Sequence, residues 1–323
     1  MKTKIVIALA ALAAMASLPA RAAWPERPIT LIVPWAAGGG TDAVARILAA
    51  GLEKELGKPV NVVNRTGGGG VVGHTDIVNA KPDGYTIGLA TAEITTYYWS
   101  NTAPFTYEQL TPIALVNFDA SAFNVSASSP WADLKGALED IRKQPAGHYK
   151  MSGMAAGAAY HLAFAGLLKL EGINPKSVTV VPSQGAAPGF QELASGGVQI
   201  VPSSLPEGKP MMDAGRVKSL AVLAKEKIAA FPNVPTVKEA IGKDYAGGTW
   251  RGIAAPAGLP QDVTARLLEA VEKVATGTEY KTFLNERGFG YAFEKGDAFK
   301  RFLAEQHKNN GEVMADLGLK LRQ

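Results

Sequence analysis

The chain has 323 residues, of which 47% are hydrophobic, 19% charged and 8% aromatic; this excludes a disordered or fibrous protein and suits about two globular domains. It contains no cysteine, which removes disulfide frameworks, thiolate metal sites, a cysteine nucleophile and a lipidated amino-terminal cysteine. The formal charge is +4, but Lys2, Lys4 and Arg21 precede every acidic residue, and without them the remainder carries +1. A nearly neutral body gives no electrostatic case for nucleic acid or an anionic membrane surface.

Lys2 and Lys4 introduce an apolar run over 5–16, followed by Pro19 and Ala20-Arg21-Ala22. The run is shorter than the roughly 20 residues of a membrane span. A charged start, a short apolar stretch and an A-x-A site read as a signal peptide over 1–22, with export to the periplasm and a mature chain from about Ala23. Next, 29–33 is a β-branched run ended by Pro34 and predicts a buried strand. Gly38-Gly39-Gly40-Thr41-Asp42 precedes Val44, Ile47, Leu48, Leu52 and Leu56 at helical spacing, with Thr41 or Asp42 as N-cap and Gly57 as the stop. Strands are expected at 60–63 and, after the Pro82-Asp83-Gly84 turn, at 85–90. Strand–helix–strand order at these lengths argues for a parallel α/β architecture. Further on, the sequence predicts a helix at 158–170, strands at 178–181, 198–201 and 219–223, and two amphipathic helices. The first of these carries Val263, Leu267, Leu268, Val271 and Val274, and the second Phe299, Phe302, Leu303 and Val313.

Two glycine-rich loops thus follow two neighbouring strands and lead into helices. Backbone amides at such loops and helix starts form an anion cradle, for a phosphate or a carboxylate, at the carboxyl edge of the sheet. Glycines serving only tight turns are the alternative for a single loop, and two such loops on adjacent strands weaken it. The sequence has no G-x-x-x-x-G-K-[ST], G-x-S-x-G or H-E-x-x-H motif, and Gly38 to Asp42 lacks the third glycine of a dinucleotide fingerprint. His74, His148, His161 and His307 are scattered. His74-Thr75-Asp76 could supply two metal ligands but reads more simply as a solvated helix start, and His161 as a half-buried histidine.

Pro25-Glu26-Arg27-Pro28-Ile29-Thr30-Leu31-Ile32-Val33-Pro34-Trp35 followed by Gly38 to Asp42 resembles the opening of the Bug/TctC family, the extracytoplasmic solute receptors of tripartite tricarboxylate transporters. Asn64-Arg65-Thr66-Gly67-Gly68-Gly69-Gly70 is similar to the family's N-R-x-G-x-G-G loop, and Lys81-Pro82-Asp83-Gly84-Tyr85-Thr86 to its P-D-G-Y-T turn. His161-Leu162-Ala163, Pro232-Asn233-Val234-Pro235-Thr236 and Gly248-Thr249-Trp250-Arg251-Gly252 continue the series along the whole mature chain. Ala92-Glu93, Ser204-Leu205-Pro206-Glu207 and Thr249-Trp250-Arg251-Gly252 resemble the tricarboxylate branch more than the amino-acid branch.

The resemblance implies an α/β, two-lobe periplasmic-binding-protein fold of type II, with the ligand cleft between lobes joined by two crossing strands. The expected lobes are 23–123 with 246–323, and 124–245. It also implies a receptor rather than an enzyme, which captures an organic di- or tricarboxylate and delivers it to membrane permease subunits. Neither cofactor nor metal is expected, and the receptor is expected to be a monomer. The alternatives are a ligand-sensing receptor for a two-component sensor, or a secreted hydrolase using Ser152 or Ser204 beside His161.

Carried onto this chain, the ligand-binding positions are Trp35, Ala36, Gly39, Gly40, Thr41 and Asp42 in the first loop, and Arg65, Gly69, Gly70 and Val71 in the second. Glu93, Ser152, Ala156, His161, Ser203, Ser204, Trp250 and Arg251 complete the set. His161, Arg65 and Arg251 are the candidates to meet a second carboxylate, for which a guanidinium fork is suited; Arg65 alternatively braces its own loop. Trp35 would stack on or shield the ligand, and Trp250 either does so or packs the hinge. Ser203 stands where many relatives carry an acid, and Ser183-Gln184 where they carry an aromatic–Lys pair. Without that acid, an ammonium-bearing ligand would lack a counter-charge and be costly to desolvate.

Overall fold

The computed structural model describes residues 24–322, so the expected signal peptide lies outside the described residues. The chain opens with β1 (Ile29–Val33), α1 (Gly40–Leu56), β2 (Val60–Asn64), α2 (Val71–Val78) and β3 (Thr86–Thr91). Next come β4 (Leu110–Ala120), β5 (Ala122–Ser126), α3 (Leu134–Lys143), β6 (Lys150–Met151), α4 (Ala159–Leu170) and β7 (Thr179–Val180). They are followed by α5 (Ala186–Ser195), α6 (Leu205–Asp213), β8 (Val217–Val222) and α7 (Val237–Ile241). β9 (Gly248–Pro256), α8 (Gln261–Thr276), α9 (Thr278–Arg287), β10 (Tyr291–Lys295) and α10 (Asp297–Asp316) complete the described elements.

The larger sheet has the order β10-β4-β9-β3-β1-β2. Its two faces follow from strand alternation. Leu31, Val33 and Ile87 pack with Leu48, Leu52, Leu267 and Val271 of α1 and α8. Ile32, Leu115, Trp250 and Ala254 pack on the other face with Ile77, Phe299 and Leu303. Burying each Leu, Ile, Val or Phe side chain among these contributes about 1.5–3 kcal/mol. The expected parallel pairing holds for the opening strands, β1 with β2 and β3, and the sheet as a whole is mixed, since β9 is antiparallel to both β3 and β4. The reason is connectivity. β9 enters only after the chain has built its second sheet region and returned, so it is not the end of a helical crossover.

That second region pairs β5 with β8 and β6 with β7, knitted by bridges Asn124↔Val201 and Met151↔Ile200. The predicted strand at 198–201 is reduced to these bridges. Phe123, Leu138, Phe164, Leu167 and Leu220 form its core. Two segments cross between the regions. β4 continues through Ser121 into β5, and Ser121 donates its amide to Gly247 O at 2.8 Å while accepting from the Leu223 amide at 2.8 Å. Among the described residues, no helix is long and apolar enough to cross a membrane.

Candidate functional site

The loops after β1, β2 and β3 leave the same edge of the sheet, because those strands run in parallel. β9, running the other way, begins there with Thr249 and Arg251. In α/β sheets this edge carries the ligand crevice.

In the first loop Gly39 is the extended N-cap of α1 and has no side chain to give. The expected caps lie further in: Thr41 and Asp42 are in the first turn. Asp42 braces the loop from behind, its Oδ2 accepting from the Gly38 amide at 3.0 Å and from Arg46 Nε at 3.0 Å. Its Oδ1 accepts from Arg46 Nη2 at 2.9 Å and Asn64 Nδ2 at 3.0 Å. Burial pushes this carboxyl up, but Arg46, the Gly38 amide and Asn64 outweigh it and hold its pKa below the ordinary value.

The second loop rests on His74, which is fully buried. The Thr91 amide donates to its Nε2 at 3.1 Å, so the hydrogen-bond pattern assigns the proton to Nδ1, 2.9 Å from Gly70 O. Tyr97 Oη lies 3.0 Å from Nδ1 and donates to Gly69 O at 3.0 Å. Burial drives the His74 pKa down to about 4, which keeps the ring neutral and the loop carbonyls paired. His74 therefore has a structural task, and no group of three or more Asp, Glu or His suited to a metal occurs among the described residues.

Thr91 ends β3 and links two cleft residues. It accepts from Trp35 Nε1 at 3.2 Å and donates to Glu93 Oε2 at 2.5 Å. Glu93 Oε1 accepts from the Ala159 amide, at the start of α4, at 3.3 Å. Burial raises the Glu93 pKa.

Arg251 is 1% exposed and sits between Thr91 and Asn117 in the strand register. Its Nε donates to Thr41 Oγ1 at 2.9 Å, and Nη1 to Asn117 Oδ1 at 2.5 Å and to Asp119. Nη2 donates to Glu207 Oε1 at 3.2 Å. Burial penalises the guanidinium charge, but Asp119 and then Glu207 outweigh that, so Arg251 stays protonated.

Arg251, Thr91, Glu93 and the first loop line a cavity of about 30 Å³, room for about two waters. That is smaller than a four-carbon dicarboxylate, so a ligand of that size needs the cavity to widen. Of the expected positions, Trp35, Ala36, Gly39, Gly40, Thr41, Glu93 and Arg251 line it. Others stand around it. Gly69, Gly70 and Val71 form the second loop; Ser152 Oγ donates to Val181 O at 3.0 Å; Ser203 is fully buried and its Oγ has no hydrogen-bond partner. Ser204 is the N-cap of α6, and Ala156 is exposed.

The three basic candidates for a second carboxylate differ. Arg65 is turned outward, its side chain 54% exposed and paired with Asp76 at 2.6 Å. His161 Nδ1 accepts from the Gly157 amide at 2.8 Å, and burial pushes its pKa down to about 4. Only Arg251 reaches the cavity. Trp250 lies on the other face of β9, packed edge-on against Phe299 and Phe302.

Thr91, Asp119 and Tyr160 are not among the positions expected from the sequence, and Glu207 and Thr249 enter there only within motifs. Asp119, an acid at the end of a long apolar strand, and the S-x-x-E spacing of Ser204 and Glu207 were the available signals. The S-x-x-E spacing marks a helix start and not a place in the cleft, and Tyr160 has no signal at all, since the fold alone brings α4 and α6 to α1.

A family described as "Tripartite tricarboxylate transporter family receptor" matches residues 44–319. A UPF0065 protein of Bordetella pertussis is 30% identical over 315 residues, covering 97% of this chain and 96% of that protein. Among solved structures, an R. palustris protein with adipate is similar at a TM-score of 0.85 and 26% identity, over 91% of this chain and 98% of the other. MatC from Rhodopseudomonas palustris with bound malate is similar at a TM-score of 0.80 and 26% identity, over 90% and 99%.

Proposed function

The chain belongs to the family of tripartite tricarboxylate transporter receptors, a two-lobe solute-binding protein and not an enzyme, and from that premise we propose that it captures an organic di- or tricarboxylate in the periplasm and hands it to the permease subunits of such a transporter. The observation that carries this reading is the convergence of the first glycine-rich loop, the amino terminus of α1 and the Arg251 guanidinium on one cleft. Backbone amides and a helix start favour an anion, and burial of the ligand between two sheet regions gives selectivity without any activated nucleophile. The bound adipate and malate of the two similar structures belong to the same chemical class. In this reading the lobes divide as 23–123 with 246–323, and 124–245. The cleft opens by bending at Ser121 and Gly247, and the receptor, exported by its amino-terminal segment, works as a monomer.

The test is an uptake assay with a labelled carboxylate in cells that carry the permease pair, with and without this chain. Uptake that needs both supports the proposal. Uptake indifferent to the chain contradicts delivery.

A further inference from the structure

Glu207 belongs to α6, in the second sheet region, yet its carboxylate lies at the amino terminus of α1. Oε1 accepts from the Gly40 amide at 3.1 Å and from Arg251 Nη2 at 3.2 Å. Oε2 accepts from Tyr160 Oη at 2.8 Å and from the Ser204 hydroxyl and amide at 3.0 and 3.2 Å. A Cβ on residue 40 would lie 2.7 Å from Glu207 Oε1 and 2.8 Å from Arg251 Nη2, so the glycine makes room for this meeting. A helix-start amide beside a guanidinium is a pair of donors suited to a carboxylate. Here the protein's own carboxylate fills it.

Arg251 is the only basic side chain lining the inner cavity among the described residues, and its other donors are engaged by Thr41, Asn117 and Asp119. Nη2 keeps one further N–H, but a ligand carboxylate meets the Gly40 amide and the guanidinium together only by taking the place of Glu207. The space around the side chain agrees. Gly39, Gly40 and Glu207 line both the inner cavity and an outer groove of about 400 Å³ that also holds Lys209 and Arg287. Glu207 is the one side chain beyond glycine that the two share.

We propose that Glu207 is a built-in competitor for the ligand: it closes the two regions on each other by occupying the Gly40–Arg251 site, and the ligand's carboxylate displaces it there. This deepens the carboxylate-receptor reading and rests on it. On displacement Glu207 turns into the outer groove, beside Lys209 and Arg287. The affinity of the receptor is then a difference between two carboxylates at one set of partners, so Glu207 sets the threshold a ligand must exceed.

The test compares the chain from residue 23 onward with its Glu207→Gln and Glu207→Asp variants, each checked for a cooperative melt. Small-angle scattering reads closure without ligand, and calorimetry reads binding of adipate, malate and citrate. Both variants are expected to show a larger radius of gyration than the parent, since Gln loses the charge and Asp the reach. Whichever carboxylate binds the parent is expected to bind Glu207→Gln about tenfold or more tightly, the size of a lost hydrogen bond to a charged group; binding by the variant alone also supports the proposal. Equal or weaker binding by Glu207→Gln, or an unchanged radius in both variants, overturns it. If the variants expand but neither they nor the parent bind any carboxylate, the carboxylate reading falls while closure by Glu207 stands.

Discussion

Asp119 and Arg251 meet on neighbouring strands as an ion pair withdrawn from water, their side chains 1% and 2% exposed. Asp119 holds this position through the Gly290 amide and Asn117 Nδ2, both donating to Oδ1 at 2.9 Å. Burial raises the Asp119 pKa, Arg251 lowers it, and Glu207 raises it again. Taking charges out of water is repaid only when every partner is in place. Arg251→Met leaves Asp119 and Glu207 buried without their cation, and a loss of about 3–5 kcal/mol is expected. Chemical denaturation at neutral pH measures it; a loss under about 1 kcal/mol, the level of an exposed pair, would contradict this expectation.

His74 makes stability depend on pH. Its folded pKa is about 4, against an ordinary 6.5, so the unfolded chain takes up the proton first. The stability it contributes is complete above the ordinary value and is lost as pH falls toward the folded one. About 3 kcal/mol rests on this ring, at 1.36 kcal/mol per pKa unit. His161, also pushed down to about 4, acts in the same direction, whereas the raised carboxyls of Glu93 and Asp119 oppose it. Stability measured between pH 6.5 and 4 should therefore fall less steeply in His74→Gln than in the parent. Equal slopes would show that the ring carries no such load.

Gly73 lies where the second loop crosses the first. A Cβ there would stand 2.6 Å from Pro34 Cα and 2.7 Å from Arg65 O, and backbone cannot yield as a side-chain tip can. Gly73→Ala is expected to destabilise by about 1–3 kcal/mol and to weaken ligand binding by displacing both loops. A variant that melts like the parent would mean that the two loops do not meet so closely.

Arg65 offers the opposite case. Its pairing with Asp76 is half exposed, and such pairs contribute about 0.2–1 kcal/mol. Arg65→Ala is expected to leave calorimetric affinity within about twofold, as a change of under about 0.4 kcal/mol would. A loss of tenfold or more would put Arg65 on the ligand.

The amino-terminal half was legible because its cues are local. The β-branched run of β1, the helical spacing of apolar residues in α1 and Gly57, which ends the helix in the left-handed region with φ 67°, each act within a few residues. The two loops were legible for the same reason. β4 and β9 were not marked as strands from the residues, since Pro112, Gly248 and Gly252 interrupt their patterns and their pairing spans more than a hundred positions. In the site, Arg251 could be named but not its partners. Asp119, Tyr160 and Glu207 reach it only through tertiary packing, which no spacing in the sequence records. The N-cap of α1 shifted to Gly39 for a related reason: the amide of Gly40 is satisfied from the other side of the cleft, by Glu207.

The most direct measurement is a thermal-shift screen of the chain from residue 23 onward against di- and tricarboxylates, amino acids and nucleotides. A ligand that binds the folded state adds about 2.7 kcal/mol at a hundredfold excess over its dissociation constant. A carboxylate receptor should show a rise in melting temperature with one or more di- or tricarboxylates, each recovered unchanged. Stabilisation by nucleotides alone, or consumption of the compound that binds, would contradict that function.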